Sequence, residues 1–297
     1  WLIHRLQEGF VLVRNPMNPH QISRIPLSPS VVDCIVFWTK NPENMLSRLG
    51  DLSAYPYYFQ FTLTSYGRDI EPYLPNKKDC LIPVFQSLAA RIGKDRMVWR
   101  YDPILLNMRY TVSYHLDACA QIAERLRGCT EKVVISFVDL YSKTQRNTRG
   151  LSITPPQGKV LLNMVQHLVR IAANNGMVVE TCSETIDLQD LGVQHGHCID
   201  ARQIERIIGV PLRGKKDRNQ RVTCGCMESI DIGAYHTCGN GCKYCYANFS
   251  PQKVAETVRL YKETSPLLCG QIGPKDHIIE RNVQSFREEQ LRFDREM

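Results

Sequence analysis

The sequence predicts an α/β protein built on parallel strands, folded as a (β/α) barrel or a partial TIM-like barrel. Two observations carry this expectation. Short apolar runs rich in valine, isoleucine and aromatics recur along the chain, and amphipathic segments with apolar residues at three- and four-residue spacing fall between them. Repeated alternation of this kind, with no internal repeat or low-complexity linker, produces a parallel barrel or an open doubly wound sheet. At 297 residues the chain is long enough for one large barrel or two modest domains.

In chain order the expected strands are Phe10–Arg14, Cys34–Thr39, Tyr57–Leu63, Met97–Tyr101, Val133–Val138 and Met177–Thr181. Each is a near-continuous apolar run, the pattern of a strand covered on both faces. The expected helices are Pro83–Ile92, Val112–Leu126, Gly158–Asn174 and Ala201–Ile208. Pro83 suits a first turn, Asp200 is a candidate N-cap, and Gly93, Gly128 and Gly176 stand where helices should stop. Glu228–Tyr235 reads as a further strand and Ser250–Tyr261 as the capped helix that follows it. Charge alternation over Glu280–Met297 reads as an exposed helix. The expected organisation is therefore a barrel-like domain over 1–265, with a cysteine-rich region at 182–248, and a C-terminal helical extension over 266–297.

Composition excludes several classes. Hydrophobic residues make up 43% and charged residues 23%, the balance of an ordinary globular protein rather than a disordered one. No apolar run approaches the ~18 residues of a membrane span, and no export signal opens the chain, so a cytoplasmic protein with no membrane partner is expected. The chain starts on Trp1 rather than Met, and a short preceding segment is expected. The net charge of +7 is spread along the sequence. Its one concentration, Arg213–Arg218 followed by Arg221, would attract a phosphate-bearing partner or form a solvated loop.

In parallel α/β folds the active site lies beyond the C-terminal ends of the strands. Those ends carry Arg14 and Asn15, Lys40 and Asn41, Thr62 and Thr64, Arg100 and Asp102, Asp139, and Glu180. Singly each reads equally well as a cap or a surface residue; converging, they line a polar cavity. Lys40, Arg100, Asp102 and Asp139 are the candidates for catalytic contact with substrate or cofactor. Asn41, Thr64 and Glu180 are candidates for holding a cofactor.

Twelve cysteines in a chain without export features point to metal ligation rather than disulfides. Cys34, Cys80, Cys119 and Cys129 are scattered and read as small buried hydrophobes. Cys238, Cys242 and Cys245 form a C-x3-C-x2-C arrangement, with Gly239 and Gly241 permitting the sharp turns of a loop around a compact cluster. Three thiolates can each bind one iron of a 4Fe–4S cube and leave the fourth iron open. The competing reading is a zinc knuckle, completed by a fourth ligand such as His236. Cys182, Cys198, Cys224 and Cys226 form a second set, suited to an auxiliary iron–sulfur cluster or a structural zinc, with His195 and His197 able to replace one ligand. Nearness to an iron–sulfur motif favours iron there, although ligand type does not decide it.

The motif, with Tyr244 just before its last cysteine, resembles the signature of the radical S-adenosylmethionine superfamily. That resemblance implies a 4Fe–4S cluster on Cys238, Cys242 and Cys245, with S-adenosylmethionine chelated at the open iron and Tyr244 packed near its adenine. It also implies an electron donor such as flavodoxin or ferredoxin, whose electron releases a 5′-deoxyadenosyl radical. Superfamily members usually carry the motif after the first barrel strand, so its place at residue 238 implies a circularly permuted barrel. The chain also resembles a family of uncharacterised bacterial proteins, the domain of unknown function numbered 1848. The matching stretches are Arg14–Pro19, Phe37–Pro42, Phe59–Thr64, Trp99–Pro103, Phe137–Asp139 and Asp217–Asn248. Neither resemblance names a substrate; the basic loop puts a nucleic acid or nucleotide first. The alternative is a non-enzymatic iron–sulfur or zinc protein, acting as a redox-sensitive or nucleic-acid-binding module.

Overall fold

Six strands condense into one parallel sheet whose spatial order follows their order along the chain. The computed structural model describes residues 1–139, 142–182, 184, 186–221 and 223–288. In chain order its elements are α1 (Leu2–Glu8), β1 (Phe10–Arg14), β2 (Gln21–Pro26), β3 (Ile35–Thr39), β4 (Tyr57–Thr62), α2 (Ile82–Ile92), β5 (Met97–Ile104) and α3 (Val112–Arg125). They continue with β6 (Lys132–Phe137), α4 (Ser142–Thr148), α5 (Gly158–Asn174), β7 (Val178–Cys182), β8 (Gln194–Gly196), α6 (Ala201–Ile208), α7 (Pro251–Arg259) and β9 (His277–Glu280). The parallel sheet runs β3-β4-β5-β6-β7-β8, and among the described residues it does not close into a barrel; β3 and β8 are its two edges.

The pleat divides the strand residues by parity, and this division sets up the site. Odd positions (Tyr57, Phe59 and Phe61 of β4; Met97, Trp99 and Tyr101 of β5; Val133 and Ile135 of β6) face the main core. There they meet α2, α3 and α5, the last presenting Leu161, Met164, Val165, Leu168 and Ala172 as one buried stripe. Even positions carry polar residues among the apolar ones: Tyr58 and Gln60, Val98 and Arg100, Val134, Glu180 and Cys182. The apolar members of this face pack on Ile204 of α6 and on Met227. Tyr58 and Gln60 both donate to the carbonyl of Cys198, at 2.6 and 3.0 Å, and so fix the loop before α6 against the sheet. Asp200 caps α6 by accepting from the Arg202 amide, and Ser250 caps α7 from the Lys253 amide.

Three expectations change. Phe10–Arg14 is not part of the parallel set: β1 pairs antiparallel with β2, which pairs parallel with β9, in a separate three-stranded sheet. Sequence order misleads here because β1 and β2 are joined by a short turn, which can link only antiparallel neighbours. Glu228–Tyr235 forms no strand; Ile230 and Ile232 instead pack against Val11 and Ile25 of the small sheet and Leu27 just after it. Finally, the described part of the C-terminal extension is not helical. It supplies β9, then runs past the start of β3, where Ser285 and the Phe286 amide donate to Asp33. The rest of the expected helix, 289–297, lies outside the described residues. Of the scattered cysteines only Cys119 is fully buried, and Cys80 is exposed.

Candidate functional site

The C-terminal rim of the sheet gathers two sets of cysteines. Cys238, Cys242 and Cys245 share one loop, with Cys238 exposed, Cys242 buried and Cys245 between. The loop closes on itself: the Cys245 amide donates to the Cys242 carbonyl at 3.1 Å, and Asn248 accepts from the Cys238 amide at 3.1 Å. Gly241 adopts a left-handed φ of 66°, and a Cβ there would meet the Tyr73 ring at 2.7 Å, so only glycine lets this loop lie flat on its neighbour. The Lys243 amide completes the docking by donating to the Ile70 carbonyl at 3.0 Å.

What the loop docks on is a buried carboxylate that sequence reasoning did not single out. The Glu71 side chain is fully buried and collects Lys40 at 2.9 Å, Lys77 at 2.6 Å, the Thr64 hydroxyl at 2.9 Å and the Tyr244 hydroxyl. Burial alone would raise its pKa, but Lys40 and Lys77, with hydrogen bonds from Lys77 and Tyr244, bring it down from 4.5 to about 2. Glu71 is thus an anion that holds two cations at the end of β4. One of them, Lys40, lies 5.4 Å from the centre of the Tyr244 ring. Burial pushes the Cys242 thiol up to about 12, and Lys40 acts in the opposite sense on Cys242 and Cys238. The only signal for Glu71 in the sequence was the length of the segment joining β4 to α2, since long connections tend to be functional.

The second set converges from three segments: the end of β7, the loop before α6, and the stretch around Gly225. The Cys182 and Cys198 sulfurs are 3.2 Å apart, and Cys198, Cys224 and Cys226 are packed together in the interior. Arg100, 5% exposed, donates to the Cys198 sulfur at 3.0 Å and to Gln60 at 3.2 Å, while forming an ion pair with Asp102. A hydrogen bond from Cys198 holds the Cys226 thiol below its ordinary pKa. Tyr246 links the two sets. Its phenol is raised by desolvation and by the nearby Tyr235, Cys245, Asp231 and Cys182. Among the described residues, no group of three or more His, Cys, Asp or Glu side chains stands ready-made around a metal position. The sulfurs of the second set touch one another instead.

The remaining candidates are occupied elsewhere. Asn41 accepts from the Glu43 amide and shapes the turn after β3. Glu180 pairs with Lys132 at 2.7 Å lower on β7, away from the cysteine loop. Asp139 is exposed and pairs with Arg221 at 2.8 Å, which engages one member of the basic loop. Arg213, in the same loop, pairs with Glu288. Thus Lys40, Thr64 and Tyr244 join the first cysteine set, Arg100 and Asp102 join the second, and Asn41, Glu180 and Asp139 join neither. Trp38, 53% exposed, stands at the rim with the Arg100 guanidinium 5.8 Å from its ring.

A family model described as Domain of unknown function (DUF1848) matches residues 1–247, ending just after the last cysteine of the motif. The chain belongs to this family. Nothing among curated proteins and no solved structure matches it. No helix among the described residues is long and apolar enough to cross a membrane.

Proposed function

We propose that this member of the DUF1848 family is a radical S-adenosylmethionine enzyme. The observation that supports the reading best is a three-thiol loop docked at the C-terminal rim of a parallel sheet, with a lysine and a buried carboxylate behind it. The donor chemistry fits a 4Fe–4S cluster held by Cys238, Cys242 and Cys245, because three thiolates leave one iron without a protein ligand. His236, the other donor type in the loop, is turned edge-on to Phe249 with ring centres 4.6 Å apart. When bound, such a cluster supplies the electron that cleaves S-adenosylmethionine to methionine and a 5′-deoxyadenosyl radical.

The chain's own residues have three tasks. Cys242, buried against residues 70–73, anchors the loop, and Glu71 fixes Tyr244 and Lys40 relative to it. Lys40 brings positive charge close to the thiolates and offsets their repulsion. Exposure of Cys238 leaves one side of the loop open to a cofactor or to an electron donor such as flavodoxin or ferredoxin. On this reading the sheet is a partial TIM-like barrel and the chain is circularly permuted relative to the superfamily's usual order, the cysteine loop coming last yet lying beside β3 and β4. A nucleotide or nucleic acid is the substrate class we favour: exposed Trp38 and Tyr246 offer stacking faces beside rim cations.

Anaerobic reconstitution with iron and sulfide, followed by electron paramagnetic resonance with and without S-adenosylmethionine, tests the reading. A reduced 4Fe–4S signal that shifts with the cofactor, with 5′-deoxyadenosine formed, is expected. Both should vanish in Cys238→Ala. A cluster indifferent to the cofactor would instead favour a non-enzymatic, redox-sensitive or nucleic-acid-binding module.

A further inference from the structure

The second cysteine set lies outside the reading above and has its own geometry. Cys182 comes from the end of β7, Cys198 from the loop before α6, and Cys224 and Cys226 flank Gly225 farther along. Chain connectivity alone does not bring these segments together, yet Cys198, Cys224 and Cys226 are 8%, 8% and 5% exposed within one cluster, with Cys182 packed on it. Two N–H groups are aimed at the sulfurs: a guanidinium N–H of Arg100, 3.0 Å from Cys198, and the Ile199 amide, 3.3 Å from Cys226. A neutral thiol accepts hydrogen bonds weakly, whereas a thiolate meets a buried cationic donor well. The His197 ring covers Gly225 so closely that a Cβ would come within 1.9 Å of it. Its Nδ1 is buried without a hydrogen-bond partner, which marks a polar inventory left incomplete beside the four sulfurs.

We propose that Cys182, Cys198, Cys224 and Cys226 hold a single Zn²⁺ in a closed structural site, distinct from the loop at 238–245. The spacing of the sulfurs fits one tetrahedral ion. Tetrahedral zinc with Zn–S bonds of about 2.3 Å places its sulfurs about 3.8 Å apart. The observed 3.2 Å between Cys182 and Cys198 reaches that by opening about 0.6 Å, within the range of side-chain rotation. In a cubane the four thiolates bind four different irons and point away from one another, so their sulfurs cannot approach contact. The 3.2 Å separation therefore fits a single ion shared by the four sulfurs better than it fits a cubane. With all four positions filled by thiolates, the ion has no open site. Its effect is to clamp the stretch 198–226 to the end of β7, with Arg100 offsetting part of the tetrathiolate's negative charge.

Metal content measured by mass spectrometry on three forms of the protein tests this. The wild type and the triple variant Cys238→Ala/Cys242→Ala/Cys245→Ala should each carry about one zinc per chain, and Cys224→Ser/Cys226→Ser should carry none. Should the last variant fail to fold, Co²⁺ added to chelator-stripped wild type gives a second readout, the intense sulfur-to-cobalt absorption of a tetrahedral tetrathiolate. Iron with acid-labile sulfide persisting in the triple variant would overturn the proposal in favour of a second cluster. A metal-free protein with a Cys182–Cys198 disulfide would overturn it in favour of a redox pair. Because the triple variant lacks the first cysteine set, zinc in it is independent of the radical reading, and either idea can fail alone.

Discussion

Replacing Glu71 with glutamine should destabilise the protein by about 3 kcal/mol at neutral pH, in a manner that depends on acid. The magnitude comes from the depression of its carboxylate from 4.5 to about 2, at about 1.36 kcal/mol per pKa unit. Removing one partner of a buried ion pair costs a similar 3–5 kcal/mol or so, here because Lys40 and Lys77 are left without their counter-ion. The sign follows from the direction of the shift. A carboxylate held lower in the folded state stabilises fully above its unfolded value near 4.5 and loses that contribution as pH falls toward 2. The gap between wild type and Glu71→Gln should therefore be widest at pH 7, begin to close near 4.5 and be nearly gone near 2. Urea unfolding at a series of pH values reads the difference, and other carboxylates cancel in the comparison. A second readout is local: with the Tyr244 tether weakened, Cys242 should alkylate faster under native conditions. A loss below about 1 kcal/mol, flat with pH and without faster alkylation, would refute the idea that Glu71 is the hub on which the cysteine loop is fixed.

Other perturbations separate the loop from the scaffold. Gly241→Ala combines an unfavourable left-handed φ with a contact on Tyr73, so iron incorporated on reconstitution should drop sharply while the thermal midpoint moves little. Trp99→Ala empties a fully buried site on β5 and removes the donor to the Leu63 carbonyl, and should cost about 3–5 kcal/mol in denaturant unfolding.

Much of the scaffold was legible because local patterns and tertiary demands coincide. Tyr57–Thr62 is buried at nearly every position, as a strand covered on both faces must be, and an apolar stretch of this kind announces itself. Gly158–Asn174 has the helical stripe that its packing against α3 and β7 requires. The failures occur where a segment's partner lies far away in sequence. Glu228–Tyr235 has strand-like composition, but Ile230 and Ile232 are satisfied by the small sheet. His277–Glu280 is exposed and polar-flanked, and becomes a strand only because β2 presents a free edge to it. At the site, the cysteines were visible through their spacing. Glu71 was not, since nothing in Ile70-Glu71-Pro72 tells that two lysines, a threonine and a tyrosine will converge on it.

The two sulfur sets answer one electrostatic problem in the same way with different outcomes. Gathering cysteine sulfurs at the end of a sheet would concentrate negative charge once they ligate a metal, and each set has a cation beside it: Lys40 after β3, Arg100 within β5. A lone buried cation would itself be costly, and each is held by its own carboxylate, Glu71 for Lys40 and Asp102 for Arg100. The difference lies in enclosure. In the first set Cys238 faces solvent and the loop offers three sulfurs, which suits the open cluster proposed above. In the second, three buried sulfurs and the partly buried Cys182 come from three segments beside Arg100 and His197, so a group held there would bind the chain together. On the two proposals made above, exposure and ligand count, more than residue type, would set a working centre apart from a structural one on the same rim.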